Sequence, residues 1–339
     1  MYERYSRQIL FPEIGRDGQE KLLASRVLVV GCGALGASHS EMLARAGVGK
    51  LRIVDRDFVE LTNLQRQTLF SEADAAERLP KAVAARKRIA EINSGTDVEA
   101  VVADVNNSNI ESLMDGCDVV IDGTDNFQVR YLVNDACVKL GVPWIYGAAV
   151  ASFGTTMTVR PGVSPCLRCI FEEMPDAGSS PTCDTAGVIM PIIASISAIQ
   201  VAECLKLIVD DTDMLHSSLV QIDIWANDRQ RIKLSGPVEG CRCCGLRIYD
   251  HLDAESREFA AALCGRDAVQ VAPPAGSFVG LAALADRLKF VFAVTENEYI
   301  VRFNADGHEV TVFADGRAII KGIDDPSAAR GIYAKYIGT

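Results

Sequence analysis

The sequence predicts an α/β fold, in which a mixed, mainly parallel sheet is covered by helices on both faces. Strand-length apolar segments, such as residues 26–30 and 119–121, alternate with helical segments up to Tyr146. Strands that are apolar throughout are typical of parallel sheets buried on both faces. After Gly147 the chain changes to extended segments such as residues 155–160, which indicate added antiparallel strands.

The first strand opens a β-loop-α-β unit of about 30 residues. The strand at 26–30 leads into the glycine-rich loop at 31–36, a helix follows to Ala46, and a second strand ends at Asp55. In such sheets, ligands bind beyond the carboxyl ends of the strands. Those ends carry the glycine loop, Asp55 to Asp57, and residues 122–126, so the sequence predicts a Rossmann-like nucleotide site there.

The composition changes after Gly245, which predicts two domains at 1–245 and 246–339. Three alternating segments at 299–304, 308–313 and 317–321 are joined by Ala-Asp-Gly turns and predict a three-stranded meander. A helix at 325–336 completes a small α+β domain. Within the first domain, a polar stretch rich in Gly, Ser and Pro predicts a mobile loop at about 170–190.

Charge and composition exclude several partners and locations. The formal net charge of -11 over 339 residues argues against nucleic acid and anionic membrane surfaces. The apolar run at 187–209 is interrupted by Gln200, Glu203 and Lys206, which favours a buried helix over a membrane span. Eleven cysteines without a signal-like N-terminus predict a reducing compartment, and therefore a cytoplasmic protein.

Two cysteine pairs share the spacing of zinc knuckles, Cys166 with Cys169 and Cys241 with Cys244. Each C-x-x-C turn can present two thiolates to a tetrahedral ion, and four thiolates complete a closed structural zinc site. The alternative is two unrelated buried pairs. Cys243 lies inside the second knuckle, and the spacing leaves it as a spare thiol.

The glycine loop taken by itself is a weak signal. Gly31, Gly33 and Gly36 permit a tight turn whose backbone amides and helix N-terminus approach phosphates. Asp55 follows Gly33 by 22 residues and suits a ribose hydroxyl. On these residues only, a nicotinamide or flavin enzyme is the commoner interpretation.

Cations beyond the second strand point to a triphosphate instead. Arg66 lies just past the strand tip, in Asn63-Leu-Gln-Arg-Gln67, and Lys81 opens the next helix. Together they can neutralise a triphosphate, which a dinucleotide's pyrophosphate does not require. Asp125, at a neighbouring strand end, can hold Mg²⁺ that bridges phosphate oxygens. The alternative for each cation is a solvated surface ion pair.

The motifs occur together and in order over about residues 1–245, and in this they resemble the ThiF/MoeB/HesA family, bacterial relatives of ubiquitin-activating enzymes. The motifs that carry the resemblance are Arg4-Tyr-x-Arg7-Gln8, Gly31-x-Gly33-x-x-Gly36, Asp55-x-Asp57, Asn63-Leu-Gln-Arg66-Gln67, Pro80-Lys81, Thr124-Asp125-Asn126 and the two cysteine pairs.

The resemblance implies adenylation of the C-terminal Gly-Gly carboxylate of a ThiS- or MoaD-like β-grasp sulfur-carrier protein, with ATP, in thiamine or molybdopterin synthesis. It also implies a homodimer in which Arg7 reaches the phosphates of the other subunit, with a surface ion pair as its alternative. Asp55 then holds the ribose, Asn63, Arg66 and Lys81 hold the phosphates, and Asp125 serves Mg²⁺. The nucleotide-binding residues implied by the family motifs are Gly31, Gly33, Ala34, Gly36, Asp55, Asp57, Asn63, Arg66, Gln67, Lys81, Asp125 and Asn126.

Cys183 lies where relatives carry a thiol that accepts the activated carboxyl as a thioester or acyl disulfide. Other members leave sulfur transfer to a separate persulfide donor, which makes Cys183 an ordinary loop cysteine. Cys264 is either an extra sulfur relay or a buried turn residue. The sequence suggests no role for His39, and Cys32, Cys117, Cys137 and Cys204 are expected in the core.

Three other functions fit parts of the sequence. A nicotinamide-dependent oxidoreductase gives no role to Arg66, Lys81 or the zinc. A non-catalytic module that binds a ubiquitin-like protein would not need Arg66, Lys81 and Asp125. A tRNA-modifying dehydratase of the same family is disfavoured by the charge and the cysteine pairs. Residues 246–339 lack a rhodanese-type active-site loop, so a partner-docking or structural role is expected for them.

Overall fold

A computed structural model describes residues 2–175, 183–253, 260–263, 268–272 and 279–338, with only the backbone at 183–184 and 260–263. The chain divides into two compact units, Met1–Ala254 and Glu255–Thr339. Each has its own sheet and its own apolar core.

The first unit is built on an eight-stranded sheet with the strand order β3-β2-β1-β4-β5-β6-β7-β8. Strands β1 to β5 run parallel, and β6 to β8 continue the sheet in antiparallel pairing. The predicted mixed, mainly parallel sheet is confirmed. Its strands are β1 (Arg26–Val30), β2 (Lys50–Asp55), β3 (Asp97–Val102), β4 (Val119–Asp122), β5 (Trp144–Val150), β6 (Phe153–Val159), β7 (Ser218–Asp223) and β8 (Asp228–Lys233).

Helices cover both faces of this sheet. Right-handed crossovers place α3 and α5, with α2 and α10 packed beside them, on one face. The same rule places α6 and α7, followed by α8, on the other face, where they share a core with β4 and β5. The helices are α1 (Ser6–Ile9), α2 (Gly15–Ala24), α3 (Ala34–Ala46), α4 (Glu72–Glu77), α5 (Lys81–Ile92), α6 (Ile110–Met114), α7 (Phe127–Leu140), α8 (Leu167–Ile170), α9 (Cys183–Ala186) and α10 (Met190–Val209).

Helix α10 is the one described helix that is long and apolar enough to cross a membrane by length and composition. Half of its most apolar window is buried inside the protein. It packs against α3, β5 and β6, and it carries the buried polar residues Ser197, Gln200 and Glu203. Those contacts are the ones expected of a core helix laid across a sheet.

The first unit continues past Gly245, where the composition changes. His251 donates its backbone N–H to Asp135 of α7, and Leu252 is buried in the core under that helix. The packing of the first unit therefore reaches Leu252, beyond the boundary that the sequence places at 245.

The second unit contains a six-stranded antiparallel sheet with the order β11-β12-β13-β14-β10-β9. The predicted meander corresponds to β12–β14 and the predicted terminal helix to α12, which confirms the small α+β fold. The sequence did not indicate β9, β10, β11 or α11. The elements are β9 (Ala260–Leu263), β10 (Ala268–Val271), α11 (Leu281–Leu288), β11 (Thr295–Glu296), β12 (Ile300–Ala305), β13 (His308–Phe313), β14 (Ala318–Lys321) and α12 (Pro326–Tyr336).

Candidate active site and metal centre

The order of the strands reverses at β1, which has β2 on one side and β4 on the other. The loops after β1 and β4 therefore flank a topological switch point, where open α/β sheets bind ligands. Gly31 has φ +83°, a left-handed conformation that favours glycine, and a Cβ at Gly36 would collide with the Gly31 carbonyl. Gly123, after β4, packs against both residues, so the glycine loop and the β4 end touch backbone to backbone.

Asp55 ties the tip of β2 to the glycine loop. Its Oδ2 accepts the Cys32 backbone N–H at 2.6 Å, and its Oδ1 accepts the Asp57 N–H at 2.7 Å. Burial raises the pKa of Asp55, while the charge of Lys81 acts in the opposite direction. The two carboxylate oxygens keep further lone pairs with which to accept a hydroxyl.

Lys81 is a fixed, buried cation beside the same strand tip. Its side chain is only 5% exposed, its Nζ lies 3.3 Å from Asp57 Oδ2, and its backbone N–H donates to the Asp57 carbonyl. Helix α5 begins at this residue, immediately after Pro80. Because both the backbone and the side chain are held, Lys81 offers a positive charge at one defined position.

The three candidate residues in the segment after β2 differ in burial and in hydrogen-bond partners. They are Asn63, Arg66 and Gln67. Asn63 is buried at the end of the 3-10 turn Leu61–Asn63, and its Oδ1 accepts the Glu60 N–H at 3.1 Å. Arg66 is half-buried and donates to the Thr62 carbonyl at 3.0 Å. Gln67 is buried, and its Oε1 has no hydrogen-bond partner among the residues that the structure describes. Asn63 therefore helps to shape this turn, which its sequence position did not indicate.

A buried ion pair supports the loop that follows β4, and sequence reasoning missed it. Asp122 Oδ2 lies 3.1 Å from Arg130 Nε, and both side chains are at most 5% exposed. Burial raises the pKa of Asp122, and Arg130 opposes that shift. The signal in the sequence was an acid at a strand end followed eight residues later by an arginine on α7.

The same ion pair fixes the backbone on one side of Asp125. Asp122 Oδ1 accepts the Thr124 N–H at 2.9 Å, and Arg130 Nη2 donates to the Thr124 carbonyl at 2.6 Å. On the other side, Asn126 caps α7 by accepting the Gln128 N–H at 2.8 Å. Asp125 stands exposed between these two anchored residues, at the carboxyl edge of the sheet.

The remaining candidates lie apart from this network. Arg7 is exposed on α1, and its side chain makes no hydrogen bond or ion pair with the described residues. Cys183 begins α9, but its side chain lies outside the described part of the chain, as do Cys264 and residues 176–182 of the predicted mobile loop. Cys32 is fully buried, and burial strongly raises the pKa of its thiol.

The two cysteine knuckles meet at one point. The Sγ atoms of Cys166, Cys169, Cys241 and Cys244 all lie within 4.8 Å of one another. Three of the distances are 3.8 Å (Cys166 to Cys169), 3.7 Å (Cys166 to Cys241) and 3.3 Å (Cys169 to Cys244). Zinc–sulfur bonds of about 2.3 Å in a tetrahedron require sulfur atoms about 3.8 Å apart, so the cluster is compatible with zinc.

The chemistry of the cluster also fits a cation. The neighbouring thiol of Cys166 and burial raise the pKa of Cys169 to about 12, while burial and Cys169 raise the pKa of Cys244 to about 12. Four sulfurs packed this closely lose their protons together only when a cation compensates their charge. Cys243 stays outside the cluster: it is buried and accepts Asn134 Nδ2 at 3.2 Å.

Asp250 links the two knuckles by ion pairs. Its Oδ2 lies 2.9 Å from Arg168 Nη1 in the first knuckle, and its Oδ1 lies 2.8 Å from Arg242 Nη2 in the second. These hydrogen bonds to the two arginines hold the pKa of Asp250 well below its usual range. The carboxylate thus braces the backbone turns that carry the four sulfurs.

These features define an α/β protein of the Rossmann-like class with a four-cysteine cluster that is compatible with zinc. The profile of the ThiF family matches residues 5–243, and the chain belongs to this family. The resemblance inferred from the sequence motifs is confirmed.

Similar proteins match this chain over different shares of its length. The sulfur carrier protein ThiS adenylyltransferase of Bacillus subtilis is 42% identical over 340 residues, covering 100% of both chains. The SAMP-activating enzyme E1 of Haloferax volcanii is 42% identical over 65% of this chain and 81% of its own. Crystals of E. coli MccB show the same fold, with a TM-score of 0.64 at 23% identity over 72% of this chain and 73% of that one.

Proposed function

We propose that the protein is an ATP-dependent adenylyltransferase that activates the C-terminal Gly-Gly carboxylate of a small β-grasp sulfur-carrier protein of the ThiS or MoaD kind. The observation that carries the proposal is the end-to-end similarity to the Bacillus subtilis ThiS adenylyltransferase. The cations and carboxylates gathered at the carboxyl edge of the sheet support it. Oxidoreductase, dehydratase and binding-module functions have no comparable support.

The reaction requires positioning more than proton transfer. The terminal carboxylate of the carrier attacks the α-phosphorus of ATP, the bond to the β-phosphate oxygen breaks, pyrophosphate leaves, and an acyl adenylate remains. A carboxylate is already a nucleophile at neutral pH, so no protein base is needed. Catalysis then depends on alignment of the two reactants and on fixed positive charge near the phosphates. That charge stabilises the negative charge that builds up on the departing pyrophosphate.

Each residue at the carboxyl edge has a role in this scheme. The glycine loop with Gly31, Gly33, Ala34 and Gly36 admits the nucleotide, and Asp55 accepts a ribose hydroxyl. Lys81 and Arg66 neutralise the phosphates, with Asp57 holding Lys81 in place.

Other residues border the phosphates. Asn63 and Gln67 would donate amide N–H groups to phosphate oxygens. Asp125, fixed between Thr124 and Asn126, would hold Mg²⁺, which supplies further charge neutralisation when bound.

The four-cysteine cluster would hold Zn²⁺ in a structural role. Four thiolates close the coordination shell and leave no position for a reacting group. The ion would fasten the knuckle after β6 to the knuckle after β8, and thereby fix the antiparallel end of the sheet.

Assembly and sulfur transfer complete the proposal. In a homodimer, Arg7 would extend from one subunit to the phosphates of the other, which accords with its exposure and its lack of a partner among the described residues of its own chain. Cys183 would receive the activated carboxyl as a thioester, with AMP leaving, or as an acyl disulfide once a persulfide donor has placed a sulfur atom on its thiol. Alternatively, a separate persulfide donor supplies the sulfur without Cys183. Residues 246–339 would serve carrier docking or structure.

Intact-mass spectrometry with ATP, Mg²⁺ and candidate Gly-Gly carriers tests the function. A carrier that gains the mass of an adenylyl group, together with ATP–pyrophosphate exchange that depends on the carrier, is the expected result. A covalent adduct on the enzyme that disappears in Cys183→Ala assigns the acceptor thiol. If no Gly-Gly carrier is adenylylated, the proposed function is wrong.

A further inference from the structure

A buried amide on helix α10 connects three other elements behind the glycine loop. We propose that Gln200 is a positioning residue that sets the geometry of the nucleotide site from helix α10, through the end of β4 and through helix α3. The inference rests on the proposed function, because it concerns the affinity of that site for ATP.

Gln200 makes three hydrogen bonds, each to a different element. Its Nε2 donates to the Asp122 carbonyl of β4 at 3.1 Å and to the Ile145 carbonyl of β5 at 3.2 Å. Its Oε1 pairs with His39 Nε2 of α3 at 2.8 Å. Gln200 and His39 are completely buried, so no water competes for these bonds.

The bonds allow only one arrangement of hydrogens. Both amide hydrogens of Gln200 are used by carbonyl oxygens, so Oε1 acts as an acceptor and His39 carries its hydrogen on Nε2. A flipped amide would turn its oxygen toward two carbonyl oxygens and leave three acceptors facing one another. The side chain therefore holds one orientation, which gives it the rigidity that positioning requires.

The Asp122 carbonyl, one of the two that accept hydrogen bonds from Gln200, lies next to the glycine loop. Asp122 precedes Gly123, and a Cβ on Gly123 would stand only 2.6 Å from the Gly31 carbonyl and 2.7 Å from the Gly36 Cα. No space separates the end of β4 from the loop. A displacement of the Asp122 carbonyl therefore moves the loop as well.

The second connection reaches the same loop through α3. This helix starts at Ala34, with Gly33 as its N-cap, and His39 lies in its second turn. The N-terminal amides of α3 are the ones that approach the phosphates in this type of site. Gln200 thus holds the two backbone segments that border the glycine loop, one through Asp122 and one through His39.

The neighbouring strand leaves room for this amide. A Cβ on Gly147 of β5 would collide with the Gln200 amide group, so a residue without a side chain is required there. The Gly147 carbonyl in turn accepts Arg130 Nη2 at 3.1 Å, and Arg130 also holds Thr124 beside Asp125. The Gln200 amide therefore contacts the same hydrogen-bond network that fixes the backbone beside Asp125.

The experiment compares Gln200→Leu with Ser197→Ala. Ser197 lies one turn earlier on α10 and is equally buried, but its hydroxyl bonds to no group in the described part of the chain. Losing a buried amide that bonds three groups is expected to weaken ATP binding by roughly tenfold or more, measured by calorimetry. Ser197→Ala should stay within about twofold of the wild type.

Comparing the KM for ATP with the KM for the carrier distinguishes a positioning role of Gln200 from a purely stabilising one. In Gln200→Leu, the KM for ATP in the exchange reaction should rise by about the same factor as the calorimetric Kd, while the KM for the carrier changes less than about twofold. A residue that only stabilises the fold would lower the melting temperature and leave both constants of the folded fraction unchanged. Gln200→Leu with wild-type ATP affinity, or with both KM values raised equally, would overturn the proposal.

His39→Leu covers the case in which Gln200→Leu does not fold. It removes one of the three bonds and leaves the Gln200 side chain in place, so ATP binding should weaken in the same direction by a smaller factor. Unchanged ATP affinity in a folded His39→Leu variant also contradicts the proposal. If the wild type binds ATP but adenylylates no carrier, the proposed function fails, while the calorimetric comparison still decides the role of Gln200.

Discussion

Two lysines on helix α5 differ in their surroundings. Lys81 is buried beside Asp57 at the carboxyl edge of the sheet, whereas Lys87 is exposed and lies 4.0 Å from Glu77. We expect Lys81→Met to lower the rate of ATP–pyrophosphate exchange by about 10²-fold or more, because a fixed charge near the phosphates is lost. Lys87→Met is the matched control and should stay within about twofold, since exposed ion pairs contribute little. Equal losses in both variants would contradict the role of Lys81.

His39 gives the unfolding free energy a pH dependence that can be isolated. Burial lowers the pKa of His39 from its ordinary 6.5 to about 3, and the hydrogen bond with Gln200 opposes that shift. Between these values the unfolded chain binds the proton and the folded one does not. The contribution of His39 to the free energy of unfolding is therefore fully present above pH 6.5. It declines as the pH falls toward 3, by up to about 1.4 kcal/mol per pH unit.

Urea unfolding at about pH 5 and about pH 7, in the wild type and in His39→Gln, measures this effect. The variant removes the titrating ring, so its loss of stability between the two pH values should be smaller than that of the wild type. Identical pH slopes would show that the ring of His39 is not held neutral.

The sequence was sufficient to place some site residues and not others. Asp55 was predicted because strand ends of a parallel sheet meet at one edge, and Lys81 because it opens the next helix and can neutralise phosphates. The structure joins the two residues through Asp57. The Asp122–Arg130 pair and the His39–Gln200 bond were not predicted, since buried polar partners on distant elements depend on packing that no local pattern encodes.

At the scale of elements, the cysteine cluster allows a direct test. Cys169→Ser and Cys244→Ser each remove one of four sulfurs, so both variants should lose bound zinc and melt at a lower temperature. Cys243→Ser is the matched control in the same knuckle and should retain about one zinc per chain, because Cys243 is not one of the four grouped sulfurs and its Sγ accepts a hydrogen bond from Asn134. Metal analysis of the purified variants measures the stoichiometry. Loss of zinc from the Cys243 variant as well would require another set of ligands.

Elements with strong periodicity were predictable, and short ones were not. Strands β12–β14 alternate and are separated by Asp-Gly turns, which made the meander visible. Strand β11 has two residues, and β9, at the opposite edge of the sheet, is largely alanine, so neither offers a pattern. Strand β11 pairs with β12, and β9 pairs with β10. These pairings depend on the assembled sheet and not on a local sequence pattern.

For the whole molecule, the two units should separate cleanly. The core beneath α7 lies entirely within the first unit, and the core of the antiparallel sheet lies entirely within the second. A chain truncated after Ala254 is therefore expected to fold, to keep its zinc, and to bind ATP within about twofold of the intact protein. Calorimetry and metal analysis check this. Aggregation or loss of ATP binding would mean that the units depend on each other.

The same truncated chain tests the role of the C-terminal unit. If this unit docks the carrier, the KM for the carrier should rise in the exchange assay while the KM for ATP does not. An unchanged carrier KM would remove the docking role and leave a structural one.

Because the knuckles are far apart in the chain, an ion held by the four sulfurs would also restrict the unfolded polypeptide wherever it stays bound. Such an ion would cross-link Cys166 to Cys241, 75 residues away, as a disulfide would, but without an oxidant. Closing a loop of that length restricts the disordered chain by an amount worth on the order of 4 kcal/mol in the chain-entropy description. A backbone break anywhere inside the loop would leave both pieces fastened to each other through the metal.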